Sequence, residues 1–109
     1  MTTNRFRYNI GKNGILRHGE DLTVHVEGAK SVQGVLFSKK LFGWKVIQVD
    51  QSGTSKNPDK DRIQFEMVRY SPEDGRLQPL PRGRYKVRVW AFGAGSSYAI
   101  SHEKKFAIE

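Results

Sequence analysis

Three histidines, His18, His25 and His102, are the side chains of this sequence best suited to metal binding or to proton transfer near neutral pH. None has the spacing of a zinc site. His25 stands opposite in parity to Leu22 within an alternating run, which turns it toward solvent. The acidic residues Asp59, Asp61, Glu73 and Asp74 fall among turn formers, where capping of backbone amides accounts for them. There is no G-x-S-x-G, no P-loop and no carboxylate pair. Gly93-Ala94-Gly95 has no helix to follow it, so it is not a dinucleotide site. The absence of cysteine removes disulfides, thiolate nucleophiles and cysteine-based metal centres. The expectation is a protein without enzymatic activity, metal or cofactor.

Binding chemistry is better represented. Arg84, Lys86, Arg88 and Trp90 share one parity, so an extended chain sets three cations and an aromatic ring in a line. Such a line can follow phosphates or sulfates while the indole stacks on a base or a sugar. Arg5 and Arg7 extend it if their strand lies nearby. The plain alternative is a solvated face on which long side chains cover the sheet. Nineteen Lys and Arg against eleven Asp and Glu give a formal charge of +8. That balance attracts a polyanion, whether nucleic acid, an acidic polysaccharide or the acidic surface of another protein, and it equally keeps a strand-rich chain soluble and its edges protected.

The second binding feature is Lys39-Lys40-Leu41-Phe42-Gly43-Trp44, a turn carrying apolar residues. Leu41 and Phe42 are costly to leave in water, at about 25 cal/mol per Å2 of apolar surface. Either they fold back over the open end of the core, or they dock on a partner together with Lys39, Lys40 and Trp44.

The elements that must hold these residues are strands. Tyr85, Val87, Val89 and Ala91 form the apolar parity of the Arg84–Trp90 run, and Leu22, Val24 and Val26 alternate in the same way. Residues 4–10, 31–39, 44–49, 62–69 and 98–108 complete the set. Val35 and Phe37 are expected inward on the 31–39 strand, where Gly34 marks a bulge or a close backbone approach. Adjacent Val46 and Ile47 break the alternation of the next strand and leave its buried face open. Ile15 and Leu16 form either an edge segment or a plug. Residues 51–60 read as a loop, and Ser71-Pro72-Glu73-Asp74-Gly75 as a turn. About seven strands with such punctuation predict an all-β fold, a two-sheet antiparallel sandwich over residues 1–109, with a closed barrel as the alternative.

Leu80-Pro81-Arg82-Gly83-Arg84-Tyr85-Lys86-Val87-Arg88-Val89 resembles the penultimate strand of immunoglobulin-like and fibronectin type III-like modules, where a Pro/Gly turn precedes Tyr-x-Val-x-Val. The resemblance implies that Tyr85 forms a tyrosine corner, its ring in the core and its hydroxyl on nearby backbone. It also implies that Ala91–Ser96 begins the loop between the last two strands. It covers about the last thirty residues; the second strand, Leu22–Val26, lacks the tryptophan usual in fibronectin-type modules, leaving Trp44 or Trp90 to supply that volume.

No apolar run approaches the roughly 18 residues that cross a bilayer, and the first residues have no apolar core of a signal peptide. A cysteine-free sandwich without a leader resembles the accessory or decoration proteins of bacteriophage heads and tails. That resemblance implies a non-enzymatic structural module, in a virion or the cytoplasm, bound to a capsid or tail lattice. Polyanion or carbohydrate binding is the alternative, and presentation of loops to a protease a third.

Overall fold

The computed structural model describes residues 5–94 and 98–109. Those residues are all-β, with ten strands: β1 (Phe6–Tyr8), β2 (Ile15–Leu16), β3 (Leu22–Val26), β4 (Ser31–Lys40), β5 (Gly43–Gln51), β6 (Arg62–Phe65), β7 (Val68–Ser71), β8 (Arg76–Pro79), β9 (Gly83–Phe92) and β10 (Ile100–Ile108). They pair in three sheets, ordered β1-β3-β6, β2-β10-β9-β4-β5 and β7-β8. Every pairing is antiparallel except β2 with β10, where Ile15 and Leu16 run parallel to Ala107 and Ile108. No helix of the described residues is long and apolar enough to cross a membrane.

The count differs from seven strands in two sheets, and two segments explain most of the difference. Ile15–Leu16 is both a short edge strand and a plug, because Leu16 is buried. The run expected as one strand over residues 62–69 divides after Phe65. Buried Met67 leaves the three-stranded sheet: its amide donates to Asp21 Oδ1 at 3.1 Å, and its carbonyl accepts from the Leu80 amide at 2.9 Å. Val68 onward then forms the β7-β8 hairpin, whose turn is closed by the Gly75 amide on the Ser71 carbonyl at 2.8 Å.

The inner faces of the three- and five-stranded sheets contribute to one apolar cluster. Leu22, Val24, Val26, Ile63 and Phe65 come from one, and Val32, Leu36, Val87, Val89 and Ile108 from the other. The alternation of β3 and β9 places residues as expected, with Tyr85, Val87, Val89 and Ala91 all buried. Aromatic core volume comes from Phe6, Phe65, Tyr85 and Phe106. Neither tryptophan supplies it, since both lie half-buried on the parity of β5 and β9 that faces away from the core.

On β4 the expected parity is reversed. Val32, Gly34, Leu36 and Ser38 face inward, while Val35 and Phe37 face out. Gly34 is the reason. A Cβ there would lie 2.7 Å from Ile63 Cδ1 and 2.8 Å from Phe65 Cζ, so side chains from the opposite sheet fill the space that a residue at this position would occupy. The broken pattern of β5 is a β-bulge. Leu36 pairs with Gln48 and Phe37 with Val46, which leaves Ile47 as the extra residue between them. Trp44, Val46 and Val49 therefore share the outer face with Phe37 and Val35.

Candidate binding surfaces

The β4-β5 hairpin closes with Lys40 opposite Gly43, so Leu41 and Phe42 make up the whole of its loop. Gly43 takes a φ of 104°, a conformation that a side chain would strain, and this lets the chain return antiparallel. Leu41 is 87% exposed and Phe42 94%. Of the two fates open to them in the sequence, folding back over the core does not occur. A large apolar side chain left in water forgoes about 1.5–3 kcal/mol that burial would return.

Behind the tip, Trp44 is half-buried beneath two lysines, with Lys39 Nζ 5.4 Å and Lys86 Nζ 4.8 Å from its ring centroid. It forms part of the base of the hairpin rather than a free anchor. Farther along β5, which is an edge of its sheet, Val46 and Val49 are exposed. The outer side of the hairpin is thus apolar from Phe42 to Val49, flanked by Lys39 on the tip side.

The outward face of β9 is assembled as expected but is partly committed within the fold. Lys86 Nζ lies 3.5 Å from Glu103 Oε1, 4.9 Å from the Phe37 ring centroid and over Trp44. Arg88 stacks on Trp90 at 5.4 Å, covering the indole that was expected to receive a base or sugar. Arg84 is exposed. Arg5 and Arg7 do not extend this face. β1 belongs to the other sheet, beside β3, and Arg7 faces Glu27 at 3.7 Å. The sequence line of six residues becomes a cluster of four.

The inner parity of the same hairpin forms a cleft that sequence reading did not find. About 330 Å3 in volume, it lies between the hairpin base, Val68–Arg69 and Leu80–Pro81. Lys40, Lys45 and Arg69 line it, with no carboxylate. Among the described residues none of the three cations makes an ion pair. Two polar atoms on its lining residues, Ser38 Oγ and Gln48 Oε1, are buried without a hydrogen-bond partner among the described residues. Gln48 is held by its other terminal atom, Nε2 donating to the Glu66 carbonyl at 3.0 Å. An unsatisfied buried polar atom costs about 1–3 kcal/mol, and both of these belong to residues that line the one cleft. The only sequence sign of the cleft is Ser38 at an inward position, and that was masked by the reversed parity of β4.

The histidines hold structural places. His25 Nε2 lies 2.9 Å from Asp61 Oδ2, tying β3 to the segment entering β6. This hydrogen bond is the main reason that the Asp61 carboxyl titrates below its usual 3.8. His102 stacks on Phe6 at 5.4 Å, and its Nδ1 lies 2.8 Å from the Tyr8 hydroxyl. Burial lowers the pKa of His102 and raises that of Tyr8. The exposed His18 contributes a backbone bond, its amide donating to the Glu109 carbonyl at 2.9 Å. Among the described residues no three His, Asp or Glu side chains are grouped to hold a metal ion.

Tyr85 donates its hydroxyl to the Pro81 carbonyl at 2.6 Å, and its ring stacks on Phe106 at 5.8 Å. Burial raises its pKa, and the charge of Arg69 acts in the opposite sense. The loop expected between the last two strands is described only through Ala94 and from Tyr98; Gly95, Ser96 and Ser97 lie outside the described residues. No protein-family profile matches the chain, and no curated protein or solved structure matches it.

Proposed function

We propose that this protein is a non-enzymatic interaction module, an immunoglobulin-like sandwich that attaches to a larger protein assembly by the tip of its β4-β5 hairpin. The observation that carries the reading is the exposure of Leu41 and Phe42 at 87% and 94% in a two-residue loop. Paired apolar side chains on a projecting hairpin, backed by a lysine-covered tryptophan, have the form of an anchor that enters a pocket on a partner. A bacteriophage head or tail is the kind of assembly that fits, by analogy of fold and composition.

Two features support the immunoglobulin-like reading. The order β10-β9-β4 matches the three-stranded sheet of such domains, with β5 added beside β4, and β1-β3-β6 matches their four-stranded sheet lacking its last strand. The Tyr85 hydroxyl bonds backbone just upstream, as a tyrosine corner does. The β7-β8 hairpin departs from such domains and on this reading is an insertion between β6 and the strand that carries this tyrosine.

The experiment is site-specific photocrosslinking in the producing cell, with p-benzoylphenylalanine at position 42 and, as comparison, at position 88. The reading expects one discrete protein adduct from position 42 and none from position 88. Adducts from position 88 alone would instead favour the second reading, polyanion or carbohydrate binding on Arg84, Lys86, Arg88 and Trp90. The Arg88–Trp90 stack is the observation in its favour, and retention on heparin that falls steeply with salt is its test.

A further inference from the structure

We propose that the cleft on the inner side of the β4-β5 hairpin is a second contact site, which receives an acidic peptide segment of the partner; the inference rests on the protein-docking reading above. Three observations define what the cleft accepts. Lys40, Lys45 and Arg69 converge on it without a carboxylate to neutralise them, so the ligand brings negative charge. Gln48 Oε1 is an acceptor without a donor, fixed in direction because Nε2 of the same amide is held by the Glu66 carbonyl. A ligand that reaches it brings an N–H or O–H. Ser38 Oγ, more than nine-tenths buried and unpartnered, can donate to an oxyanion or accept from an amide.

A peptide with Asp or Glu side chains supplies both functions on one chain, a carboxylate and backbone N–H groups. The walls favour it over a nucleotide. Their apolar part is aliphatic, from residues such as Ile47 and Leu80. Tyr85, the one aromatic residue in the lining, has its ring stacked on Phe106 and its hydroxyl committed to Pro81, so no aromatic face is free to stack a base. At about 330 Å3 the cleft has room for one or two side chains, near the lower end of small-ligand sites. Its place on the hairpin is equally telling. Lys40 lines the cleft and directly precedes Leu41, so a partner segment beside the one seated on the apolar tip comes within reach of the cleft.

The test is titration of the full chain, at low ionic strength, with a blocked hexapeptide of alternating Asp and Leu, followed by 15N and side-chain amide NMR. Its Asn/Leu counterpart, sodium sulfate and a sulfated disaccharide are run in parallel. The expected result is saturable shifts centred on Ser38 and the Gln48 side-chain amide for the Asp peptide, and none for the Asn peptide. Combined Lys45→Gln and Arg69→Gln weakens binding about tenfold, whereas Arg84→Gln with Arg88→Gln leaves it within about twofold. Ser38→Ala weakens peptide binding without lowering thermal stability, a split that a purely structural serine would not give. Shifts spread along β9, a disaccharide that binds more tightly than the peptide, or no saturable shift at the cleft would overturn the proposal. Phe42→Ala is expected to leave peptide binding unchanged. A failed titration beside a persisting position-42 crosslink therefore sinks this site and not the anchor.

Discussion

The Tyr85 hydroxyl donates a 2.6 Å hydrogen bond to the carbonyl of Pro81, joining the start of β9 to the chain that enters it. The ring is buried against Phe106 of β10, so this one side chain fixes both the path into β9 and the spacing of the last two strands. Tyr85→Phe keeps the ring and deletes the bond. The expected loss is about 1–2 kcal/mol, read as a lower urea midpoint with an unchanged slope. A loss below about 0.3 kcal/mol would mean that water replaces the bond without cost.

Gly34 is tied to the opposite sheet rather than to a special backbone conformation. A Cβ there would meet Ile63 Cδ1 at 2.7 Å and Phe65 Cζ at 2.8 Å, while the φ at Gly34 is one that any residue adopts. Gly34→Ala is expected to destabilise by about 1–3 kcal/mol through overpacking. Ile63→Val removes the nearer of the two atoms. In the double variant part of the loss should return, giving a favourable coupling in the mutant cycle. Strict additivity would place the strain elsewhere.

Two pH windows follow from the histidine contacts. The folded pKa of His102 lies below its ordinary 6.5 because burial disfavours the charged ring. The unfolded chain then takes up the proton first as pH falls, so this group's full contribution is present above 6.5 and declines below it. His102→Gln should flatten the stability profile between about pH 7 and pH 5, even if overall stability is lower. Asp61 acts in the acid range. Its carboxyl is depressed by the His25 hydrogen bond, so the stability it contributes is present above 3.8 and lost as pH falls through its folded value. Asp61→Asn should remove that part of the acid limb, measured by urea unfolding at successive pH values.

The strands whose two faces differ in chemistry were legible from sequence, and those carrying a backbone irregularity were not. β9 alternates Tyr85, Val87, Val89 and Ala91 against cations, and β3 does the same with Leu22, Val24 and Val26, so burial follows from parity alone. On β4, Val35 and Phe37 outweigh Val32 and Leu36 in apolar bulk, and only the packing of Ile63 and Phe65 against Gly34 reverses the choice. On β5 adjacent Val46 and Ile47 showed that the alternation breaks, but only the pairing with β4 shows that a bulge at Ile47 changes parity in mid-strand. Leu41 and Phe42 stood out because two apolar residues in a short turn contradict the usual polarity of turns, and their exposure is the one of the two expected fates that the structure shows. Arg5 and Arg7 failed to join the basic face because strand order, rather than alternation, decides which sheet β1 enters. The cleft escaped notice because Lys45 and Arg69 stand in unrelated segments that meet only where β7 passes the hairpin.

The central claim is that Phe42 is exposed for a partner and contributes nothing to the fold. Phe42→Asp measures both halves at once, by the unfolding free energy of the purified chain and by retention of the protein crosslinked at position 42. The account predicts stability within about 0.5 kcal/mol of the parent, as expected for a side chain 94% exposed, together with at least tenfold weaker retention of that protein. A variant that is destabilised by more than about 1 kcal/mol, or that holds the partner as tightly as before, would contradict it.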